Sequence, residues 1–393
     1  MLNGKSAKTF FNNRDYQKVS TIYKYADSII SPLGFSTTQT WNAMAKGACG
    51  IEYFKEEAGF PAPFWGARIP DQLISSNKAL DHYTKFEKLL IWAAQEALSH
   101  TDIDPSLSEV IFIISSTKGN IDLIDPEQLH YHHSDRVFLW ASAQMVSTFF
   151  MNPNRPIVVS QACISGVSAL LVGMELLQQS CYKYAVVIGA DVFSRFTYSG
   201  FSSLFALAPQ RCKPFDINRQ GLNLGEAGAS IVLSNRAPEK EDECVTLRCG
   251  YAANDAHHLS APSRTGDGLY RAISNCLLHI GYTPCFVNAH GTATPYNDQM
   301  EAVALARAGL LHLPVTACKG YLGHTLGAAG LIDVIIAARC MEESTLLPVM
   351  GFEELGVSEP ICVQKRLEQK ELHSCLMMIS GFGGNSAALV MER

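Results

Sequence analysis

Apolar residues recur along this chain at two spacings, and the alternation between them predicts its elements. Phe86, Leu89, Leu90, Ala93, Ala94 and Ala97 share one face at helical spacing, which predicts a helix ending near Ser99. Thr38–Lys46 predicts a shorter helix, and Gln299–Ala308 and Ala328–Cys340 predict two more in the second half. Val110–Ile114, Ile157–Ser160 and Ala185–Gly189 are instead short unbroken apolar runs, the pattern of strands buried on both faces. Tyr23–Ile30 predicts a first strand, stopped by the turn signal Ser31-Pro32-Leu33-Gly34. Strands are also predicted at Cys285–Ala289 and Val315–Ala317, and two more, Cys375–Ile379 and Ala387–Met391, close the chain. Strands alternating with helices predict an α/β fold with mainly parallel sheets.

The polar run Ala237-Pro238-Glu239-Lys240-Glu241-Asp242-Glu243 divides the pattern. It separates an N-terminal half over 19–236 from a C-terminal half over 237–393, and residues 1–18 read as a mobile tail. The strand–turn–helix stretches 157–179 and 315–341 have similar layouts, but their residue identity is too low to establish a repeat. Of 393 residues, 47% are hydrophobic and only 17% charged, so much of the chain must be buried or in contact with a partner. A net charge of -6 and the lack of a long Lys/Arg run argue against nucleic acid and polybasic membrane binding. Pro156–Met174 is uncharged, yet Ser160, Gln161, Ser165, Gly166 and Ser168 interrupt it, so a buried strand–turn–helix is expected there and no membrane span. Met1–Lys18 has no apolar signal core. The 12 cysteines are scattered without a CxxC pair, which reads as reduced thiols and a cytoplasmic protein.

Candidate chemistry gathers where strands leave the apolar pattern, the places where open α/β sheets put their sites. Gln161-Ala162-Cys163-Ile164-Ser165-Gly166 sets a cysteine in the turn between a strand and a helix, where free N–H groups and the helix dipole stabilise a thiolate. His290-Gly291-Thr292-Ala293-Thr294-Pro295 delivers a histidine from a strand into a loop, with Asp298 and Glu301 at the start of the next helix. Lys319-Gly320-Tyr321-Leu322-Gly323-His324 does the same and leads into Gly327-Ala328-Ala329-Gly330. Gly381-Phe382-Gly383-Gly384 separates the last two strands, and its glycines leave backbone N–H groups free to meet a ligand. His130-Tyr131-His132-His133 lacks cysteine or carboxylate ligands at metal spacing and reads as a loop or dimer contact. Gly221, Gly225 and Gly228 precede a strand rather than a helix, which argues against a dinucleotide loop.

In family order, these motifs resemble the β-ketoacyl-[acyl carrier protein] synthases, specifically the elongating branch with a Cys-His-His site. Lys213-Pro214-Phe215-Asp216 through Leu224-Gly225-Glu226 shares the likeness, which runs from about residue 21 to the end. The resemblance implies a thiolase fold, in which two similar βα halves form a five-layered α-β-α-β-α core, usually as a homodimer. It implies that Cys163 carries an acyl group, that the backbone N–H groups of Cys163 and Phe382 hold the thioester oxyanion, and that His290 and His324 stabilise an enolate. Lys319 is then expected to pair with Glu301. Phe382 and Phe201 match acyl-gate aromatics, and His258 matches a segment near the site. Arg211 and Lys213 are candidates for docking an acidic acyl carrier protein.

The implied reaction is decarboxylative Claisen condensation of the acyl group on Cys163 with a malonyl carrier, giving a 3-oxoacyl carrier and carbon dioxide, with no metal or organic cofactor. The reaction would serve fatty-acid synthesis or a specialised polyketide, polyene or pigment chain, and Asn385-Ser386, where the family usually has Thr-Asn, and the unfamiliar stretch 115–145 keep the specialised pathway open beside ordinary elongation. Tyr131, Phe138, Trp140, Phe149 and Phe150 fit either a rigid acyl group or the core. Two other readings are weighed: a non-catalytic chain-length partner in a heterodimer, which usually lacks the nucleophile, and a non-decarboxylative thiolase. The latter class uses a second cysteine in the last loop, where this chain has none.

Overall fold

A computed structural model describes residues 21–56, 60, 62–74, 80–124, 134–238 and 244–393. The tail expected over 1–18 and the cluster His130–His133 lie outside the described residues. An eleven-stranded sheet organises the chain. Its N-terminal half holds β1 (Ile22–Ile30), β2 (Val110–Ser115), β3 (Ile157–Val159), β4 (Tyr184–Asp191) and β5 (Ala227–Ser234). The C-terminal half holds β6 (Thr246–Asn254), β7 (Phe286–Asn288), β8 (Pro314–Thr316), the edge strand β9 (Cys362–Val363), β10 (Ser374–Gly381) and β11 (Asn385–Glu392). The strand order is β9-β8-β7-β10-β11-β6-β1-β5-β4-β2-β3. Read from its outer edge, the first half runs third, second, fourth, fifth, first; without β9 the second half runs in the same order. The repeat that residue identity leaves unproved is therefore plain in the topology.

The expectation of mainly parallel sheets is corrected. Five strand pairings are parallel and five antiparallel. The antiparallel β5 is buried along its whole length, and β11 is buried except at its two ends. In this fold an unbroken apolar run therefore reports burial on both faces and not strand direction.

Among the described residues, eight helices of nine residues or more position the rest: α1 (Thr37–Ala45), α2 (Lys85–Leu98), α3 (Leu139–Phe149), α4 (Ser165–Gln178), α5 (Arg195–Ser203), α6 (Asp267–Ile280), α7 (Pro295–Arg307) and α8 (Ala329–Glu342). Successive side chains of β2 serve opposite faces, as pleating requires. Ile111 and Ile113 join a central core with Leu170 of α4 and with Leu331 and Ile335 of α8. Phe112 and Ile114 face outward onto Phe86, Leu89 and Leu90 of α2, which opens with a capping box of Thr84 and Glu87. On the far side, Val287, Leu376 and Met378 pack on Leu269 and Ile273 of α6 and Leu305 of α7. Helices, sheet, helices, sheet and helices thus form the five layers of the thiolase fold, with α4 and α8 in the middle. No helix among the described residues is long and apolar enough to cross a membrane.

The central layer closes on glycine. A Cβ at Gly166 of α4 would stand 2.9 Å from the Leu331 nitrogen, and one at Gly330 of α8 would stand 2.9 Å from the Val167 nitrogen. Gly166→Ala is expected to destabilise the protein by about 1–3 kcal/mol, because backbone cannot move aside as a side chain can. Urea unfolding measures this, and an unchanged midpoint would mean that the two helices do not touch there.

Candidate active site

Three loops meet at the ends of β3, β7 and β8. Cys163 lies between β3 and α4, in a turn whose Ala162 has φ +48°. Ser165 ties that turn: its hydroxyl accepts the Gln161 N–H at 2.8 Å and donates to the Ala162 carbonyl at 2.6 Å. Gly381 backs the turn so closely that a Cβ there would lie 2.9 Å from the Cys163 nitrogen. His290 follows β7, and His324 lies between the short helix Lys319–Leu322 and α8. The Cys163 sulfur and one ring nitrogen from each histidine all lie within 4.8 Å of one another, and the rings meet edge to face with centroids 5.0 Å apart. All three side chains border a cavity of about 480 Å³.

Buried carboxylates hold the histidine loops. Glu301 accepts the N–H groups of His290 at 2.7 Å and Gly291 at 2.8 Å. Asp298 accepts those of Phe215 at 2.7 Å and Ala293 at 3.1 Å. The His324 backbone is clamped by residues 223–225: its N–H donates to Asn223 at 2.7 Å and its carbonyl accepts from Gly225 at 3.0 Å. This accounts locally for the Leu224-Gly225 motif, because a Cβ at Gly225 would strike the Leu322 carbonyl.

Lys319 is buried near the site, but its expected pairing is corrected. Its ammonium donates to Asp333 of α8 at 2.8 Å, both side chains being 2% exposed, while Glu301 is taken up by backbone N–H groups. Phe201 and Phe382 both border the cavity and stack on each other at 5.5 Å. The His258 ring accepts the N–H groups of Ser260 at 3.2 Å and Ala261 at 3.3 Å, two residues of the cavity rim. Neither Arg211, which reaches the Ile51 carbonyl at 3.1 Å, nor Lys213, 3.9 Å from Glu353, lines the cavity. Nor do the aromatics of 138–150. Phe138 and Trp140 are exposed and stacked on each other, and Phe149 and Phe150 pack with Tyr83 and Phe112; Tyr131 lies outside the described residues. Phe201 clusters instead with Phe64, Phe193 and Tyr198, which border a second cavity. Asp191 and Asp333 also escape the sequence reading. Each carries a signal all the same, since a lone acid ending or interrupting a buried apolar run must have a buried partner.

Burial and the nearby Lys319 push both imidazoles well below the ordinary histidine range, so they are neutral at pH 7. The Leu326 N–H donates to His324 Nδ1 at 3.2 Å, which leaves the ring proton on Nε2. That Nε2 and His290 Nδ1 are buried without a partner among the described residues. The thiolate expected at a helix start is overridden at rest: burial raises the Cys163 thiol to about 11, against the opposing pull of Lys118, Lys319 and the Phe382 N–H. The three donor atoms are close enough for one metal ion, but two ammonium groups bear on them, a field that favours an anion over a cation. Burial also lifts Glu301 to about 8. Between pH 6.5 and 8 the unfolded glutamate is ionised while the folded one still holds its proton, so stability falls as pH rises through that window. Urea titrations should show a loss of about 1–2 kcal/mol there, and Glu301→Gln should flatten the slope.

Comparison with known proteins agrees with this geometry. Residues 25–238 match the profile of the beta-ketoacyl synthase N-terminal domain, and residues 244–353 that of its C-terminal domain. A relative from Staphylococcus aureus (strain COL), 3-oxoacyl-[acyl-carrier-protein] synthase 2, is 25% identical over 93% of this chain and 96% of its own. The fold is shared with a ketosynthase from Xenorhabdus doucetiae solved with its chain length factor: 23% identity, TM-score 0.82, covering 96% of this chain and 99% of that one. It is shared as well with a beta-ketoacyl synthase from Burkholderia phymatum: 20% identity, TM-score 0.84, covering 95% and 99%. With a profile spanning more than half its length and the rest of the pattern following in order, this chain belongs to the beta-ketoacyl synthase family.

Proposed function

We propose that this chain joins an acyl group held on Cys163 to the two-carbon unit of a malonyl-[acyl carrier protein]. The reading rests on one observation: a buried thiol and two neutral imidazoles, with unpartnered ring nitrogens, border one cavity. In the first step the Cys163 sulfur attacks the acyl thioester, and the thiol proton leaves with the carrier's thiol. The N–H groups of Cys163 and Phe382 receive the oxyanion. Malonyl carrier then enters, and loss of carbon dioxide leaves an enolate whose oxygen accepts from His290 and His324. Lys319, fixed in place by its hydrogen bond to Asp333, adds a field that favours this anion. The enolate carbon attacks the Cys163 thioester and expels the thiolate, which regains a proton from solvent. The product is a 3-oxoacyl carrier two carbons longer.

Phe201 and Phe382 form the gate to the acyl group, and Arg211 and Lys213 help dock an acidic carrier. The protein works in the cytoplasm, as a homodimer or beside a chain-length partner of the same fold, in fatty-acid or specialised polyketide or polyene synthesis. The thiolase alternative is disfavoured, because Cys163 alone of the 12 cysteines borders the cavity.

The test supplies labelled malonyl carrier with a panel of acyl carriers and follows carbon dioxide and 3-oxoacyl product by mass spectrometry. Wild type should carry an acyl adduct on Cys163. Cys163→Ala should lose condensation yet release carbon dioxide, and His290→Ala or His324→Ala should slow that release by about 10²–10³. Condensation by Cys163→Ala at the wild-type rate would overturn the assigned nucleophile. Silence of the wild type until a second ketosynthase-like chain is added would favour the auxiliary role.

A further inference from the structure

Asp191 ends β4 and is 1% exposed. Its carboxylate accepts five hydrogen bonds. Oδ1 takes the Ser116 hydroxyl at 2.8 Å and the Lys118 N–H at 3.2 Å. Oδ2 takes the Thr117 N–H at 2.9 Å, the Thr117 hydroxyl at 2.8 Å and the Gly327 N–H at 2.7 Å. Four of these donors belong to the loop after β2, in the half that carries Cys163. The fifth belongs to the loop that carries His324, in the other half. A Cβ at Gly327 would lie 2.8 Å from Oδ2 and 2.6 Å from the Ser116 Cα, so only glycine brings the two loops this close. A second hydrogen bond binds the same loops, from the Ser115 hydroxyl to the Gly327 carbonyl at 2.9 Å.

We propose that Asp191 is a positioning residue for His324. It fixes the Gly327 N–H and, with it, the peptide before it. That holds Leu326 at φ +51°, a backbone conformation costing about 1–3 kcal/mol that must be imposed from outside. Held there, Leu326 aims its N–H at His324 Nδ1, and the imidazole, a residue of the cavity wall, keeps its proton on Nε2, which is buried with no hydrogen-bond partner among the described residues. Asp191 touches no reacting atom. Its effect falls on the step that uses the His324 donor, the decarboxylation, and not on acyl transfer to Cys163. This assignment of the step rests on the functional reading above.

The test uses the full chain. In Asp191→Asn one acceptor oxygen is replaced by an NH2 group that faces N–H donors. Decarboxylation of malonyl carrier should fall more than about fivefold in kcat with KM little changed, while acylation of Cys163 stays within about threefold of wild type. A smaller fall, or an equal fall in both steps, overturns the proposal. Should that variant not fold, nitrogen-15 NMR of histidine-labelled wild type decides, with His324 assigned from the His324→Asn spectrum. The Nε2–H tautomer across pH 6–8 is expected, and an Nδ1–H tautomer or an imidazolium overturns the role given to Asp191. Wild type that releases no carbon dioxide would defeat the functional reading instead, and the tautomer spectrum would still decide the positioning.

Discussion

The structure depends on two helices touching backbone to backbone. α4 starts beside Cys163 and α8 starts just after His324, and the pair cross at Gly166 and Gly330 in the middle layer. A side chain at either glycine would push the helix starts apart and open the distance between the sulfur and the imidazole. Close packing on both sides leaves nowhere for the displaced helix to go, since apolar side chains of both half-sheets press on it. The reactive geometry is therefore a product of core packing and not of the loops alone.

Around that crossing the site is built from carboxylates that never reach water. Asp191, Asp298 and Glu301 accept backbone N–H groups from the loops, and Asp333 holds Lys319. Burying a carboxylate is expensive: Asp191 and Asp298 offset the cost with several donors and Asp333 with a cation, while Glu301 keeps its donors and holds a proton up to about pH 8. In exchange the loops lose their freedom. Ala162, Ala293 and Leu326 all sit at positive φ, a conformation that alanine and leucine avoid unless the surroundings impose it.

Much of this is legible in the sequence because it is local. A strand running into a glycine-rich loop marks the exits that carry Cys163, His290 and His324, and helical spacing marks α2 without ambiguity. What the sequence hides depends on the third dimension. Lys319 has an acid on α7 and another on α8 within reach of its chain position. The rotation of α8 about its own axis decides for Asp333, and no spacing rule contains that rotation. Strand direction is hidden for a similar reason, since β5 and β11 are as apolar as any parallel strand. The aromatics at 138–150 look like a lining for an acyl chain, but α3 turns them toward solvent and the outer core.

The matching strand order of the two halves has a further meaning. Cys163 follows β3 and precedes α4; His324 follows β8 and precedes α8. The Cys163 sulfur and one of its imidazole neighbours thus occupy corresponding places in two copies of one architectural unit, facing each other across the join. A duplicated scaffold can let each copy specialise, one loop drifting toward sulfur chemistry and the other toward proton donation, while the shared seam between them stays under common constraint. Tolerance to change should then be uneven: generous at the outer helices, where each half answers only for itself, and strict along the seam, where one altered atom is felt by both.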